Sequence, residues 1–192
     1  MKKMVLIGLL CLMGGLTNAQ EYRHGAGVQY NLGLFSLAYT NADGFGGYTG
    51  TEGVGVPGLV YKASLGFEVG NVLVSATAYP FIGLMYNSQT GGYFGAELPI
   101  LCELTLGDPD DACFFVGAGG SAAFLATSGI GSGSILGPQF ELGGQFIFRD
   151  QVIGAKFAYT YGVNKFKLDQ DDYIVTKNRK QMFSLGVYYK FG

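Results

Sequence analysis

Few side chains in this sequence have the type and spacing that acid–base or nucleophilic chemistry needs. The single histidine, His24, stands at the start of the first alternating segment, and a histidine base acts through a neighbouring nucleophile. Glu97 and Glu103 share one face of a predicted strand. Six residues of strand separate them by about 20 Å, too far for either carboxylate-pair geometry of glycosidases. The sequence therefore predicts no catalytic residue and no enzyme.

Cys102 and Cys113 flank a predicted turn at residues 107–111. A tight hairpin centred on Gly107-Asp108 places the two cysteines opposite one another, and a secreted chain permits a disulfide there. A zinc site needs histidine or further cysteine ligands, so we predict no metal site, and no cofactor is expected. The three aspartates that follow Gly107 are typical of a solvated turn.

These residues lie on segments that alternate between apolar and polar side chains. In residues 59–69 the apolar face carries Leu59, Tyr61 and Leu65, while the other face carries Lys62 and Glu68. Such period-two alternation is typical of strands whose two faces meet different environments. The same pattern predicts eight strands, at residues 24–39, 58–69, 72–85, 93–106, 112–126, 137–149, 152–163 and 181–191.

Composition favours a membrane barrel among all-β folds. The chain contains 33 Gly, 13 Tyr and 15 Phe, and only 14% of its residues are charged. Glycine fits a crowded, closed sheet, and aromatic residues form the girdles at membrane interfaces. A secreted β-sandwich is the alternative on composition alone. The net charge of −2 argues against nucleic acid as a partner.

The first nineteen residues have the features of a secretory signal peptide. Lys2 and Lys3 precede an apolar run that ends before Thr17-Asn18-Ala19, which suits cleavage after Ala19. The run is too short to span a membrane comfortably as a helix. We therefore predict a signal peptide at residues 1–19 and one barrel domain at residues 20–192.

The gaps between the predicted strands alternate in length. Those after the second, fourth and sixth strands are short, whereas residues 40–57 and 164–180 form the longest gaps. An antiparallel meander across an outer membrane has this asymmetry, with short turns in the periplasm and long loops outside. The fold class predicted is all-β, an eight-stranded antiparallel transmembrane up-and-down barrel.

Charged residues decide which face of the barrel meets lipid. They are few, nearly balanced in sign and opposite the apolar face, which favours a narrow interior of paired ions inside a lipid-facing wall over a lipocalin-like cavity. The predicted interior charges are Lys62, Glu68, Glu97, Glu103, Glu141, Lys156 and Lys190. Eight strands leave room only for side chains, so a plugged interior is expected.

The last predicted strand contains a polar residue, a glycine and two aromatics at Ser184, Gly186, Tyr189 and Phe191. This spacing resembles the signal that the outer-membrane barrel assembly machinery recognises, which implies that machinery as a partner. The whole chain resembles small outer-membrane β-barrel proteins with a porin-like or OmpA-like barrel domain. Glu97-Leu98-Pro99-Ile100-Leu101 and Gly117-Ala118-Gly119-Gly120 resemble such proteins from Bacteroidetes.

The resemblance implies localisation in the outer membrane of a Gram-negative bacterium, in contact with its lipid and lipopolysaccharide. Binding tends to lie on loops held by a rigid frame, so we expect a structural or adhesive role with an extracellular ligand that the sequence does not identify. A small channel or transport-accessory barrel and a lipid-modifying enzyme are the second and third alternatives. The expected contact loop carries Lys165, Lys167, Asp171, Asp172, Lys177 and Arg179.

Overall fold

A computed structural model describes residues 21–41, 47–87, 91–127, 131–164 and 173–191; the signal-peptide prediction lies outside them. These residues form one antiparallel sheet of nine strands: β1 Glu21–Asn41, β2 Gly47–Val69, β3 Val72–Ala78, β4 Phe81–Asn87, β5 Gly91–Gly107, β6 Cys113–Thr127, β7 Gly131–Phe148, β8 Gln151–Gly162 and β9 Tyr173–Phe191. Within the described chain, no helix is long and apolar enough to cross a membrane.

The sheet closes on itself because β1 pairs with β9 as well as with β2. β3 and β4 are two halves of one staggered position in the wall, since each pairs with both β2 and β5. The ring therefore has eight strand positions, which confirms the predicted eight-stranded antiparallel barrel. The third predicted strand, residues 72–85, corresponds to β3 and β4 together.

The third strand position is interrupted at Tyr79-Pro80, where proline has no N–H to donate to the ladder. The backbone N–H of Tyr61 donates to the carbonyl of Pro80 (3.0 Å), and that of Tyr79 donates to the carbonyl of Pro99 (3.4 Å). The wall therefore stays closed across the interruption. The Tyr79 side chain is completely buried inside the barrel.

Alternation along the strands separates two environments, as the sequence predicts. The outward positions carry large exposed apolar side chains, among them Leu59, Ile100, Phe140 and Leu185. Inward positions in the enclosed part of the barrel are mostly buried, and they include both the apolar core and a set of charged and amide side chains. Large inward rings lie over glycines of neighbouring strands, as Tyr188 does over Gly154.

The two ends of the barrel differ. At one end, strands join through the short connections Gly70-Asn71, residues 108–112 and Arg149-Asp150; we call this the short-turn end. Gly70, Arg149 and Asp150 have positive φ values of 64°, 51° and 63°, the left-handed conformation that two-residue hairpin turns require. The prediction of tight turns at this end is confirmed. The second turn is shifted by one residue from 107–111, and the third is shifted by one residue from Asp150-Gln151.

At the opposite end, which we call the ribbon end, β1, β2 and β9 extend far beyond their neighbours. Thr40 pairs with Gly47, and Asn41 pairs with Tyr173. The prediction that residues 40–57 form a long loop is therefore wrong, and so is the part of the 164–180 prediction that covers residues 173–180. The glycines of residues 47–58 suggested a loop, but they pair with a β1 segment rich in Leu, Phe and Tyr that favours a strand.

Candidate functional site

The barrel interior contains a buried ion pair near the short-turn end. Lys62 of β2 donates to both carboxylate oxygens of Glu103 of β5, at 3.0 and 3.1 Å. The hydroxyls of Tyr79 (2.8 Å) and Thr105 (3.3 Å) also donate to Glu103. Lys62 and Glu103 are 6% and 2% exposed. Buried charges need such complete hydrogen bonding to be tolerated.

Aromatic rings surround the Lys62 ammonium. Its nitrogen lies 4.6 Å from the centre of the Phe115 ring and 5.3 Å from the centres of the Tyr79 and Tyr188 rings. The amide of Gln145 donates to the Tyr188 hydroxyl at 2.9 Å. The faces of the rings attract the cation, which stabilises the Lys62 ammonium at this position. The ion pair and the rings around it occupy this level of the barrel.

Glu97 lies closer to the ribbon end and is held without a direct ion pair. It accepts hydrogen bonds from Gln29 (3.1 Å), Asn31 (2.7 Å) and Ser121 (3.1 Å). These donors come from β1 and β6, on either side of the barrel interior from one another. The Glu97 carboxylate therefore ties together strands that do not pair with each other.

A second pair of opposite charges, Glu141 and Lys156, is less well satisfied. The Lys156 nitrogen lies 4.0 Å from a Glu141 oxygen and 3.6 Å from the centre of the Tyr79 ring. Neither carboxylate oxygen of Glu141 has a hydrogen-bond partner, and the Lys156 ammonium has none either. Buried polar atoms of Gln139 and Ser184 also lack a hydrogen-bond partner. Buried polar groups in this state are commonly bridged by internal water.

The ribbon end of the interior is apolar. One buried cluster spans it, and Phe35 packs against that cluster. Its members come from strands all around the ring, so the cluster forms a continuous layer, which we call the apolar layer: Val54, Val56, Phe81, Ala123, Leu125, Ile135 and Met182. A packed apolar layer of this kind disfavours water at this level of the described barrel.

The short-turn end is covered by the turn between β5 and β6. Pro109 of this turn is buried and lines a cavity of about 10 Å³ together with Lys62, Glu103 and Tyr188. The Lys190 ammonium donates to the Pro109 carbonyl at 3.1 Å and to the Asp110 carboxylate. This hydrogen bond holds the pKa of Asp110 below its usual range. The cavity has roughly the space that one water molecule needs.

The structure places the seven predicted interior charges at three depths. Lys62, Glu97, Glu103, Glu141 and Lys156 are buried inside the barrel. Lys190 lies at the short-turn end. Glu68 is on the inward face but close to the end of β2, where it is exposed, so its prediction as an interior charge is wrong. The inward face continues past the enclosed part of the barrel there.

The predicted disulfide is wrong. Both cysteines are free. Cys102 pairs with Ala118, whereas Cys113 pairs with Gly107, so the two are not opposite one another. Cys102 is exposed on the outward face, and Cys113 donates to the buried Gln145 at 3.4 Å. The five-residue turn is centred beyond Gly107-Asp108, and this shift in register moves the cysteines apart.

His24 belongs to an aromatic cluster on the outer face near the short-turn end. Its ring stacks on Tyr22, with 5.3 Å between ring centres, and lies 5.2 Å from Phe191. Its Nδ1 is 3.1 Å from the Tyr61 hydroxyl. Of the predicted assembly signal, Ser184 and Gly186 face the interior, whereas Tyr189 and Phe191 face outward.

The predicted contact loop is described only in part. Lys165, Lys167, Asp171 and Asp172 lie outside the described residues. Lys177 belongs to β9, and Arg179 is an exposed residue of the same strand. The described part of this segment is therefore a strand paired with β1.

Sequence reasoning missed Tyr79, Tyr188 and Gln145, which complete the surroundings of the Lys62–Glu103 pair. Tyr188 alternates with the outward residues of the last strand, so the pattern of the sequence predicts that it faces the interior. Tyr79 precedes a proline that interrupts the alternation. The apolar layer was also missed, because Val54 and Val56 come from the segment predicted to be a loop and Ile135 lies between two predicted strands.

A closed antiparallel ring with apolar residues outside and ion pairs inside has its two faces inverted relative to a soluble barrel. Closure leaves no unpaired sheet edge in the wall, as hydrocarbon requires, and the outward apolar face suits lipid. These features define a transmembrane β-barrel.

Among solved structures, the chain is similar to Ail, the attachment invasion locus protein of Yersinia pestis, with 15% identity over 87% of this chain and 99% of that chain and a TM-score of 0.43. It is similar to Neisserial surface protein A at 15% identity, with the same two coverages and a TM-score of 0.40. The N-terminal β-barrel domain of Pseudomonas aeruginosa OprF gives 13% identity, coverages of 84% and 97%, and a TM-score of 0.33.

No protein-family model and no curated protein matches the sequence. These three structures come from Yersinia, Neisseria and Pseudomonas, and they give no support to the Bacteroidetes part of the resemblance. Identities this low carry no information about function. The class of this protein rests on its own geometry.

Proposed function

We propose that this chain resides in the outer membrane of a Gram-negative bacterium and has a structural or adhesive role. Its ribbon end would face outward as the contact surface, toward lipopolysaccharide or an extracellular partner. The observation that carries this proposal is the extension of β1, β2 and β9 beyond the rest of the wall. The proposal includes no catalytic step, because the described contacts of His24 are aromatic rings and the Tyr61 hydroxyl, with no serine or cysteine nucleophile among them.

The extension is long by the standard of membrane strands. β1 has 21 residues and β2 has 23, whereas a tilted strand crosses the hydrocarbon core in about 9–11 residues. β8 ends at Gly162, whose partner on β9 is Lys180. The excess residues form a three-stranded ribbon, defined by residues 34–41 of β1, 47–57 of β2 and 173–179 of β9.

Both edges of this ribbon lack a described strand partner. Residues 47–57 of β2 pair only with β1, because β4 meets β2 no further along than Gly58. Among the described residues, 173–179 of β9 pair only with β1, because the pairing of β8 with β9 ends at Lys180. Open strand edges present backbone donors and acceptors to other molecules, so a ribbon of this form suits a contact role.

A test is to shorten the ribbon without disturbing the barrel. Ser36 pairs with Thr51, so replacing residues 37–50 with Asn-Gly joins the same two positions through a two-residue hairpin turn. Bacteria producing the full chain should adhere to surfaces or to one another more than bacteria carrying an empty vector. The shortened variant should lose that gain.

Heat-modifiable gel mobility is the control for folding in this experiment. A shortened variant with normal heat-modifiable mobility and undiminished adhesion contradicts the proposal. Full-length chain that adheres no better than the vector also contradicts it. Adding purified lipopolysaccharide as a competitor separates a lipid contact from a protein contact.

A small channel is the second candidate, favoured by the unsatisfied polar atoms around Glu141 and Lys156. Water at that level would be one part of a conducting path, but the apolar layer lies across its continuation. Conductance through a planar bilayer decides between the two. Steady openings above the leak of an empty membrane would favour the channel and contradict the sealed interior.

A further inference from the structure

We propose that the β5–β6 turn, residues 108–112, is a latched lid over the short-turn end of the barrel, with Lys190 as its latch. The lid controls the access of water and small solutes to the Lys62–Glu103 pair. This goes beyond the contact role of the ribbon, which lies at the opposite end of the molecule. The two proposals can fail independently.

The lid folds across the opening. Pro109 is buried although its neighbours Asp108 and Asp110 are exposed, and it lines the same cavity as Lys62, Glu103 and Tyr188. The other short connections, Gly70-Asn71 and Arg149-Asp150, are exposed two-residue turns. Only this connection, of the three described at this end, has a residue inserted beneath the rim.

The lid has its own internal structure. The Asp108 side chain accepts a hydrogen bond from the Asp110 backbone N–H at 2.8 Å, and the Asp108 carbonyl accepts one from the Asp111 N–H at 3.1 Å. These bonds shape the turn locally. The lid can therefore move as a unit about its junctions with β5 and β6, where Gly107 has a φ of 98°.

The latch joins parts of the barrel that are far apart in sequence. Lys190 is on β9, and it bonds to the Pro109 carbonyl and to the Asp110 carboxylate. The Lys190 side chain is 9% exposed, whereas that of Asp110 is 74% exposed. A charge-assisted contact that is open to water on one side is weak enough to break and reform.

Opening the lid does not open a pore. The Lys62–Glu103 pair would meet water from the short-turn end, but the apolar layer still separates the interior from the ribbon end. The lid therefore regulates hydration and solute access from one side of the membrane.

The test measures how fast a cysteine under the lid reacts with a small, charged methanethiosulfonate reagent. Ser64 is 4% exposed and lines the cavity below the lid, so Ser64→Cys is a nearly isosteric reporter. Ser121, 6% exposed and bonded to Glu97, provides the matched reporter deeper inside, as Ser121→Cys. Each reporter is made with Cys11, Cys102 and Cys113 replaced by serine.

Lys190→Gln should raise the labelling rate of the Ser64→Cys reporter about threefold, since the contact that it removes is charge-assisted but open to water on the Asp110 side. Asp110→Ala, which removes the other side of the contact, should raise it in the same direction. The Ser121→Cys reporter should keep its slow rate. Heat-modifiable mobility establishes that each variant is folded.

Two results overturn the lid. One is an unchanged Ser64→Cys rate in both folded latch variants. The other is an equal acceleration at Ser64→Cys and Ser121→Cys, because general loosening of the barrel, rather than movement of the lid, would then explain the labelling.

Discussion

Replacing Lys62 with methionine should destabilise the barrel strongly, because it leaves the Glu103 carboxylate buried without its cation. Glu103 is 2% exposed, and breaking a buried ion pair from one side costs about 3–5 kcal/mol. The Tyr79 and Thr105 hydroxyls still donate to Glu103, so we expect about 3 kcal/mol. Methionine preserves most of the apolar contact with the Phe115 ring.

The double variant Lys62→Met, Glu103→Gln should recover most of that loss. It removes both charges and keeps an acceptor for the Tyr79 hydroxyl, and replacing both members of a buried pair is often nearly neutral. The coupling between the two sites should therefore be about 2 kcal/mol or more. Lys190→Met serves as a control, with a cost below about 1 kcal/mol because its partner Asp110 is largely exposed.

The measurement is equilibrium unfolding by guanidinium of the barrel refolded into lipid vesicles. The chain contains no tryptophan, so far-ultraviolet circular dichroism and gel mobility provide the signals. A loss below about 1 kcal/mol for Lys62→Met would refute the argument that this pair is buried and interdependent. A double variant as unstable as the single variant would refute it as well.

Three further outcomes are expected. Cys102 and Cys113 should both react with a thiol reagent after unfolding without reductant, and mass spectrometry showing a bonded pair would contradict the observed register. Gly154→Ala should cost about 1–3 kcal/mol, because the added methyl group overlaps the Tyr188 ring; stability equal to wild type in the same unfolding assay would show that the ring moves freely. Asp110 has a lowered pKa in the folded protein, so its contribution is present above its unfolded pKa of about 3.9 and disappears as pH falls through the lower folded value. The stability difference between wild type and Asp110→Asn, small because the side chain is exposed, should therefore be constant near pH 6 and vanish under strong acid; a difference that persists there would contradict the contact with Lys190.

Period-two alternation was sufficient to predict most of the wall. It placed Lys62, Glu103 and Lys156 on inward positions, because each alternates along its strand with apolar residues that face outward. This assignment does not depend on where the strand ends, since the period of two is the same along the whole strand. The short turns were predictable from their glycine and aspartate residues. Pairing between particular inward side chains was not predictable, since it depends on the stagger of strands distant in sequence.

The errors have a common physical origin in register and length. Whether Cys102 and Cys113 face each other depends on where the turn between them is centred, and a shift of one residue reverses the face of every side chain. The ribbon was missed because glycine weakens a strand locally, whereas the long β1 partner supplies pairing along its whole length. That information lies in the partner strand and not in the segment itself.

The pairing of β1 with β9 sets a condition on how this protein is made. His24 pairs with Phe191, so the seam that completes the cylinder joins strands from opposite extremes of the described chain. Until β9 emerges from synthesis, β1 has one unsatisfied edge that cannot rest in hydrocarbon. Contacts between such distant segments form slowly. The polypeptide must therefore remain unassembled, in an environment that tolerates open strand edges, until its last strand is available.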